Sequence, residues 1–192
     1  TFWTHKSVVP LAQENDPVDE IVKRAHDLAL KAAENGWTGP PFDPFQLAEI
    51  LGFSVLPREA VRDARLVPES RQRFRIEYNP NQSKSRIRFS ICHEIAHTLF
   101  PDCRDRIRNR LAKDEMGHDD WQLEMLCNRA AAELLMPTGS FANLAESELS
   151  ITRLLEVRDE LSVSIEALLL RFVKLANLAC AVFSVSQDER SS

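Results

Sequence analysis

The run Ser90-Ile91-Cys92-His93-Glu94-Ile95-Ala96-His97-Thr98-Leu99-Phe100 constrains this chain more than any other stretch. His93 and His97 stand four residues apart, a spacing that stacks two side chains on one face of an α-helix. Ile91, Ile95, Thr98 and Leu99 supply the apolar pattern of a packed helix, and Pro101 marks its end. On such a helix both imidazoles reach one metal ion, and Glu94 reaches a water bound to that ion. This residue set serves zinc hydrolysis, in which zinc acidifies the water and the carboxylate takes its proton. The bland alternative is a helix that carries two histidines and a glutamate by chance. Its helical flanks weigh against that.

At 192 residues the chain suggests one main domain with a small appendage. The expected division is an N-terminal arm at 1–16, a core at 17–137 and a C-terminal extension at 138–192. A hydrophobic content of 44% suffices for a sizeable core. The net charge of −5 argues against a general nucleic-acid binder. No apolar run is long enough to span a bilayer, and Ala167 to Val173 is interrupted by Arg171. No secretory signal is visible, although a chain that starts at Thr1 leaves room for a removed leader. Cys92, Cys103, Cys127 and Cys180 show no C-x-x-C pairing, so reduced thiols in a cytoplasmic protein are expected.

The first sixteen residues carry no clear pattern. Asp16 and Pro17 then start a helix whose stripe is Ile21, Val22, Ala25, Leu28, Ala29 and Ala32, with Gly36 at its exit. His26, at the edge of that stripe, reads as structural. Asp43-Pro44 repeats the start for a shorter helix stopped by Gly52. Strands are expected at about Phe53 to Leu56, Ala64 to Val67 and Gln72 to Tyr78. In the last, Phe74, Ile76 and Tyr78 share one face and Arg73, Arg75 and Glu77 the other. Between Arg58 and Arg88 nine basic residues stand against four acids. That excess reads as a solvated sheet face, with a landing site for an acidic partner as the alternative. Ser83 or Ser85 caps the helix that bears the histidines.

A second important helix is expected from about Asp120 to Met136, ended by Pro137. Catalytic zinc needs a third protein ligand and an open position for water. Glu124 on this helix is the best candidate, and Asn128, one turn on, is placed to hydrogen-bond a ligating histidine. Glu133 competes for the ligand role, and spacing alone leaves the choice open. Tyr78, His118 and nearby arginines are candidates for stabilising an oxyanion.

His-Glu-Ile-Ala-His, followed by Glu124-x-x-Cys-Asn-x-x-Ala-Ala-Glu-Leu-Leu-Met-Pro, resembles the ImmA/IrrE family of bacterial metallopeptidases. Arg88-Phe89-Ser90 is similar to that family's lead-in, and the resemblance covers roughly Asp43 to Pro137. In the family's second block the first glutamate is the third zinc ligand, which falls on Glu124 rather than Glu133. Cys127 stands where the family commonly has alanine. The resemblance implies an α+β, zincin-like domain, a small twisted sheet packed on the zinc helix with surrounding helices. It also implies an endopeptidase that cleaves helix-turn-helix repressors and so releases stress or mobile-element genes.

Beyond Pro137, helices are expected at about Ser150 to Leu161 and, capped by Ser164, at Ile165 to Leu175. Their short Ser-Val-Ser link suggests a helix-turn-helix. The second helix is not basic, however, with Arg171 and Lys174 against Glu166, so the pair reads as packing and direct DNA binding as unlikely. Ala179 to Val185 reads as a strand and Ser186 onward as a polar tail. The expected protein is a zinc endopeptidase, with His93, His97 and Glu124 on the metal and Glu94 as its base. Its substrate would bind extended along a sheet edge. The alternative is a zinc-containing module that binds a partner repressor without cutting it.

Overall fold

Asp16 and Asp43 each stand before a proline, and each starts a helix. In the computed structural model, which describes residues 2–13, 15–69, 73–105, 117–141, 150–175 and 181–183, α1 spans Pro17–Glu34 and α2 Pro44–Ile50. The Asp16 carboxylate accepts from the Val18 amide at 2.8 Å, and Asp43 accepts from Phe45 at 3.0 Å. Each proline occupies the first turn, where its missing N–H costs nothing. Gly36 and Gly52 leave these helices with φ of +88° and +74°, the left-handed region that a Cβ disfavours. Ile21, Ala25 and Ala32 are buried, while His26 lies exposed.

Three short strands follow: β1 (Ser54–Pro57), β2 (Ala64–Pro68) and β3 (Phe74–Tyr78). β3 is central, parallel to β1 and antiparallel to β2, so β1 and β2 are the edges. Residues 70–72, where the third strand was expected to begin, lie outside the described residues. Phe74 and Ile76 face the core, and Phe53 meets the Phe74 ring edge-on at 5.5 Å. The opposite face is not simply solvated, as Glu77 is buried there beneath three arginines. Arg65 lies 2.7 Å from its carboxylate, Arg75 3.1 Å and Arg58 3.8 Å. Part of the local basic excess is therefore spent inside the sheet, and Arg86 is spent on Asp63 at 2.9 Å.

The helix α3, Lys84–His97, begins at Ser83, whose hydroxyl accepts from the Arg86 amide at 3.3 Å. It closes at Thr98, three residues ahead of Pro101. The helix α4 spans Asp120–Leu135. α3 packs against α4 and against β2 and β3, and α1 covers the other side of α4. Ile91, Ile95, Leu126, Ala130 and Leu134 fill the α3–α4 interface as part of one continuous core.

Both ends of the described chain close on this core. Val8 and Leu11 are buried, and Gln122 of α4 accepts from the amides of Thr4 and His5, each at 2.9 Å. His5 and Ser7 are buried as well, with Ser7 Oγ donating to Asp102 at 2.6 Å and His5 Nε2 3.3 Å from Asp120, so the anchoring mixes polar and apolar groups without a helical or strand period. Ser150 caps α5 (Ile151–Leu161), Ser162 turns the chain at φ +52°, and Ser164 caps α6 (Ile165–Leu175). The strand expected at Ala179 to Val185 is corrected in part. Residues 181–183 are irregular and join no strand among the described residues, and Phe183 is exposed. A single strand with no partner has no stability of its own. The rest of that stretch and the tail from Ser186 lie outside the described residues, as does Cys180. No described helix is long and apolar enough to cross a membrane.

Candidate metal centre

The i, i+4 spacing on α3 places the His93 and His97 rings one above the other, with centroids 5.0 Å apart. α4 crosses them and delivers Glu124. Its Oε2 lies 3.0 Å from His93 Nε2, and its Oε1 lies 3.9 Å from His97 Nε2. One ligand atom from each of the three residues lies within 4.8 Å of the others. Two imidazole nitrogens and one carboxylate oxygen, converging from two helices, form a donor set that fits zinc or a similar divalent cation.

Asn128, one turn beyond Glu124, sets its Oδ1 2.9 Å from His93 Nδ1. With the proton on Nδ1 donated to that oxygen, Nε2 presents its lone pair to a metal. Burial works against charge on His93. The Glu124 hydrogen bond and the negative charges of Glu94 and Glu124 outweigh it, so the His93 pKa is raised. A site that favours a proton there offers the same field to a metal cation. Glu94, the next residue on α3, is largely buried and lines the same cleft.

Cys127 takes part in a way the sequence did not suggest. Its Sγ lies 3.3 Å from His97 Nδ1, on the side of the ring away from Glu124. In the sequence it reads only as a small residue in place of alanine. Its position three residues after Glu124, on the same face of α4, was the available signal. Cys92, Cys103 and Cys127 are buried thiols outside any disulfide, and burial pushes those of Cys92 and Cys103 up to about 12.

Glu133, the other contender for the ligand role, points away from the histidines. Nine residues separate it from Glu124, about two and a half helical turns, which puts it on the opposite side of α4. There it is buried and ion-paired with Arg171 of α6, and it accepts from the Thr138 amide at 3.1 Å. The two oxyanion candidates are not brought to the site either. The Tyr78 ring rests edge-on against Phe45 at 5.6 Å, an aromatic contact that holds it at the sheet end. His118 is exposed in the turn before α4, which closes through the Gly117 amide and Asp120 at 2.7 Å. Neither residue is among those that line the cleft.

That cleft is open and measures about 1610 Å³. The edge strand β2 and the N-terminal residues Thr4 to Ser7 contribute to its walls, with α3 and α4 carrying the histidines and Glu124. Residues of α6 from Glu166 to Lys174 line it as well.

Comparison with known proteins adds three findings. Among curated proteins none matches the chain. A solved structure described as a transcriptional regulator from Mycobacterium tuberculosis superposes with a TM-score of 0.50 at 21% identity. The alignment covers 82% of this chain and 52% of that one, so the chain spans about half the length of that structure. At this identity the likeness speaks for the fold alone. A family model described as the IrrE N-terminal-like domain matches residues 49–173, a span that holds α3, α4 and all three candidate ligands. The chain belongs to that family, a family of peptidases.

Proposed function

We propose that this protein is a cytoplasmic zinc endopeptidase with a zincin-like core, and that its substrate is a helix-turn-helix repressor. The observation that carries the reading is the convergence of His93, His97 and Glu124 within 4.8 Å, with Glu94 beside them in an open cleft. A site of three protein ligands keeps the open position that structural zinc sites lack.

Bound there, zinc would acidify a water molecule and polarise the carbonyl of the scissile bond. Glu94 takes the proton of the attacking water on a carboxylate oxygen and passes it to the leaving amine. Asn128 fixes the ring orientation of His93, and Cys127 backs that of His97. The substrate lies extended along β2, whose Ala64, Arg65 and Leu66 line the cleft and which is an edge strand of the sheet among the described residues. The helices after Pro137 are read as packing on the core, with Arg171 of α6 ion-paired to Glu133 of α4.

Incubation of the zinc-loaded protein with repressors encoded near its gene tests the reading, with products identified by mass spectrometry. A single defined cut that disappears on chelation is expected. If every such repressor stays intact, the assigned substrate is wrong.

A further inference from the structure

Beyond the histidines, the cleft runs on between α4 and α6 and changes character. Arg129 of α4, directly after Asn128, shares this end with Arg171 and Lys174 of α6. Arg171 is buried and fully engaged, ion-paired with Glu133, 3.0 Å from Thr138 Oγ1 and 3.2 Å from the Met136 carbonyl. Arg129 and Lys174 make no hydrogen bond or ion pair with any described residue, although Arg129 is only partly exposed. Glu133 neutralises one of the three charges, so two remain. Glu166 lines the same cleft but is exposed and is paired with neither cation.

Partial burial of like charges without a counter-charge is unfavourable. Arg129 is partly buried, and Lys174 stands exposed beside it. Desolvation, then the neighbouring cations, lowers the pKa of Arg129 and of Lys174. Around the cations the lining is apolar, with Ala132, Ala167 and the half-exposed Leu170. A positive pair held over an apolar floor suits a carboxylate flanked by aliphatic side chains.

We propose that this end of the cleft is a specificity subsite, in which Arg129 and Lys174 hold an aspartate or glutamate side chain of the bound peptide. The choice of a peptide as ligand rests on the peptidase reading. The subsite itself does not depend on cleavage. An acidic residue seated here would lie on the α6 side of the scissile bond, and Arg171, fixed by Glu133, would add to the field without touching it.

The test reads binding, so its failure and that of the peptidase reading are distinguishable. Three fluorescein-labelled ten-residue peptides alternate leucine with glutamate, glutamine or lysine, and anisotropy measures their affinity for the full chain at low salt. The glutamate peptide should bind about tenfold more tightly than the glutamine one, an advantage that salt erodes. In Arg129→Ala/Lys174→Ala that advantage should shrink to within about twofold, and Arg129→Glu/Lys174→Glu should favour the lysine peptide. The single variant Lys174→Gln, at an exposed position that folding tolerates, should lose part of the preference. The proposal is overturned if no peptide binds, if the glutamate and glutamine peptides bind alike, or if the preference survives these substitutions.

Discussion

On α4, Glu124 faces two imidazoles while Glu133, nine residues on, faces a buried guanidinium. The two carboxylates should therefore fail differently when removed. Glu124→Ala is expected to cut zinc affinity sharply and to leave the fold nearly as stable, because its side chain sits at the cleft surface. Glu133→Ala strands Arg171 as an uncompensated buried charge and should destabilise by about 3–5 kcal/mol, with metal affinity changed little. Urea denaturation and zinc titration of the two variants separate these outcomes. A larger loss of zinc affinity in Glu133→Ala would reverse the assignment. Spacing alone could not choose between them, since both sit on an apolar helix; the periodicity of 3.6 does exclude their sharing a face. Cys127 was harder to read for a different reason, since a thiol three residues from a ligand forms no motif and only its helical spacing points to the site.

At the scale of elements, the helix starts were legible because their signals are local: Asp16-Pro17, Asp43-Pro44 and Ser83 each cap where they stand. What lay outside local reading is tertiary. Alternation placed Glu77 on the outer face of β3, but only the fold brings Arg58 and Arg65 over it to meet Arg75. Burial alone would raise the Glu77 pKa. The Arg65 hydrogen bond and the arginine charges outweigh this and lower it from 4.5. The stability from this group is thus present above its unfolded value and is lost as pH falls through the lower folded one. Glu77→Gln should cost about 1–3 kcal/mol at neutral pH and narrow the gap to the parent on acidification below about pH 4. Thermal unfolding from pH 7 to pH 3 checks the sign, and a gap that widens toward acid would contradict the assignment. The N-terminal residues escaped the sequence reading for the same tertiary reason, as their polar anchors, Gln122, Asp102 and Asp120, lie far along the chain.

For the whole molecule, the candidate ligands come from α3 and α4, the two helices that form the centre of the core. Metal binding therefore ties global stability to the site. At a free zinc concentration a hundredfold above Kd, the folded state should gain about 2.7 kcal/mol, and a chelator should remove it. A melting temperature indifferent to zinc and chelator would place the metal elsewhere. Hydrolysis of a peptide bond by the same centre can be tested at Glu94 without disturbing the metal. Glu94→Gln keeps the size and hydrogen-bonding reach of the side chain but cannot accept a proton. The decisive measurement is repressor cleavage by parent and variant at equal zinc loading. About one zinc per chain is expected in both, with at least a ~10²-fold slower cut in the variant. Equal cleavage by the two, or equal relief of repression in cells without any cleavage, would contradict hydrolysis by this centre.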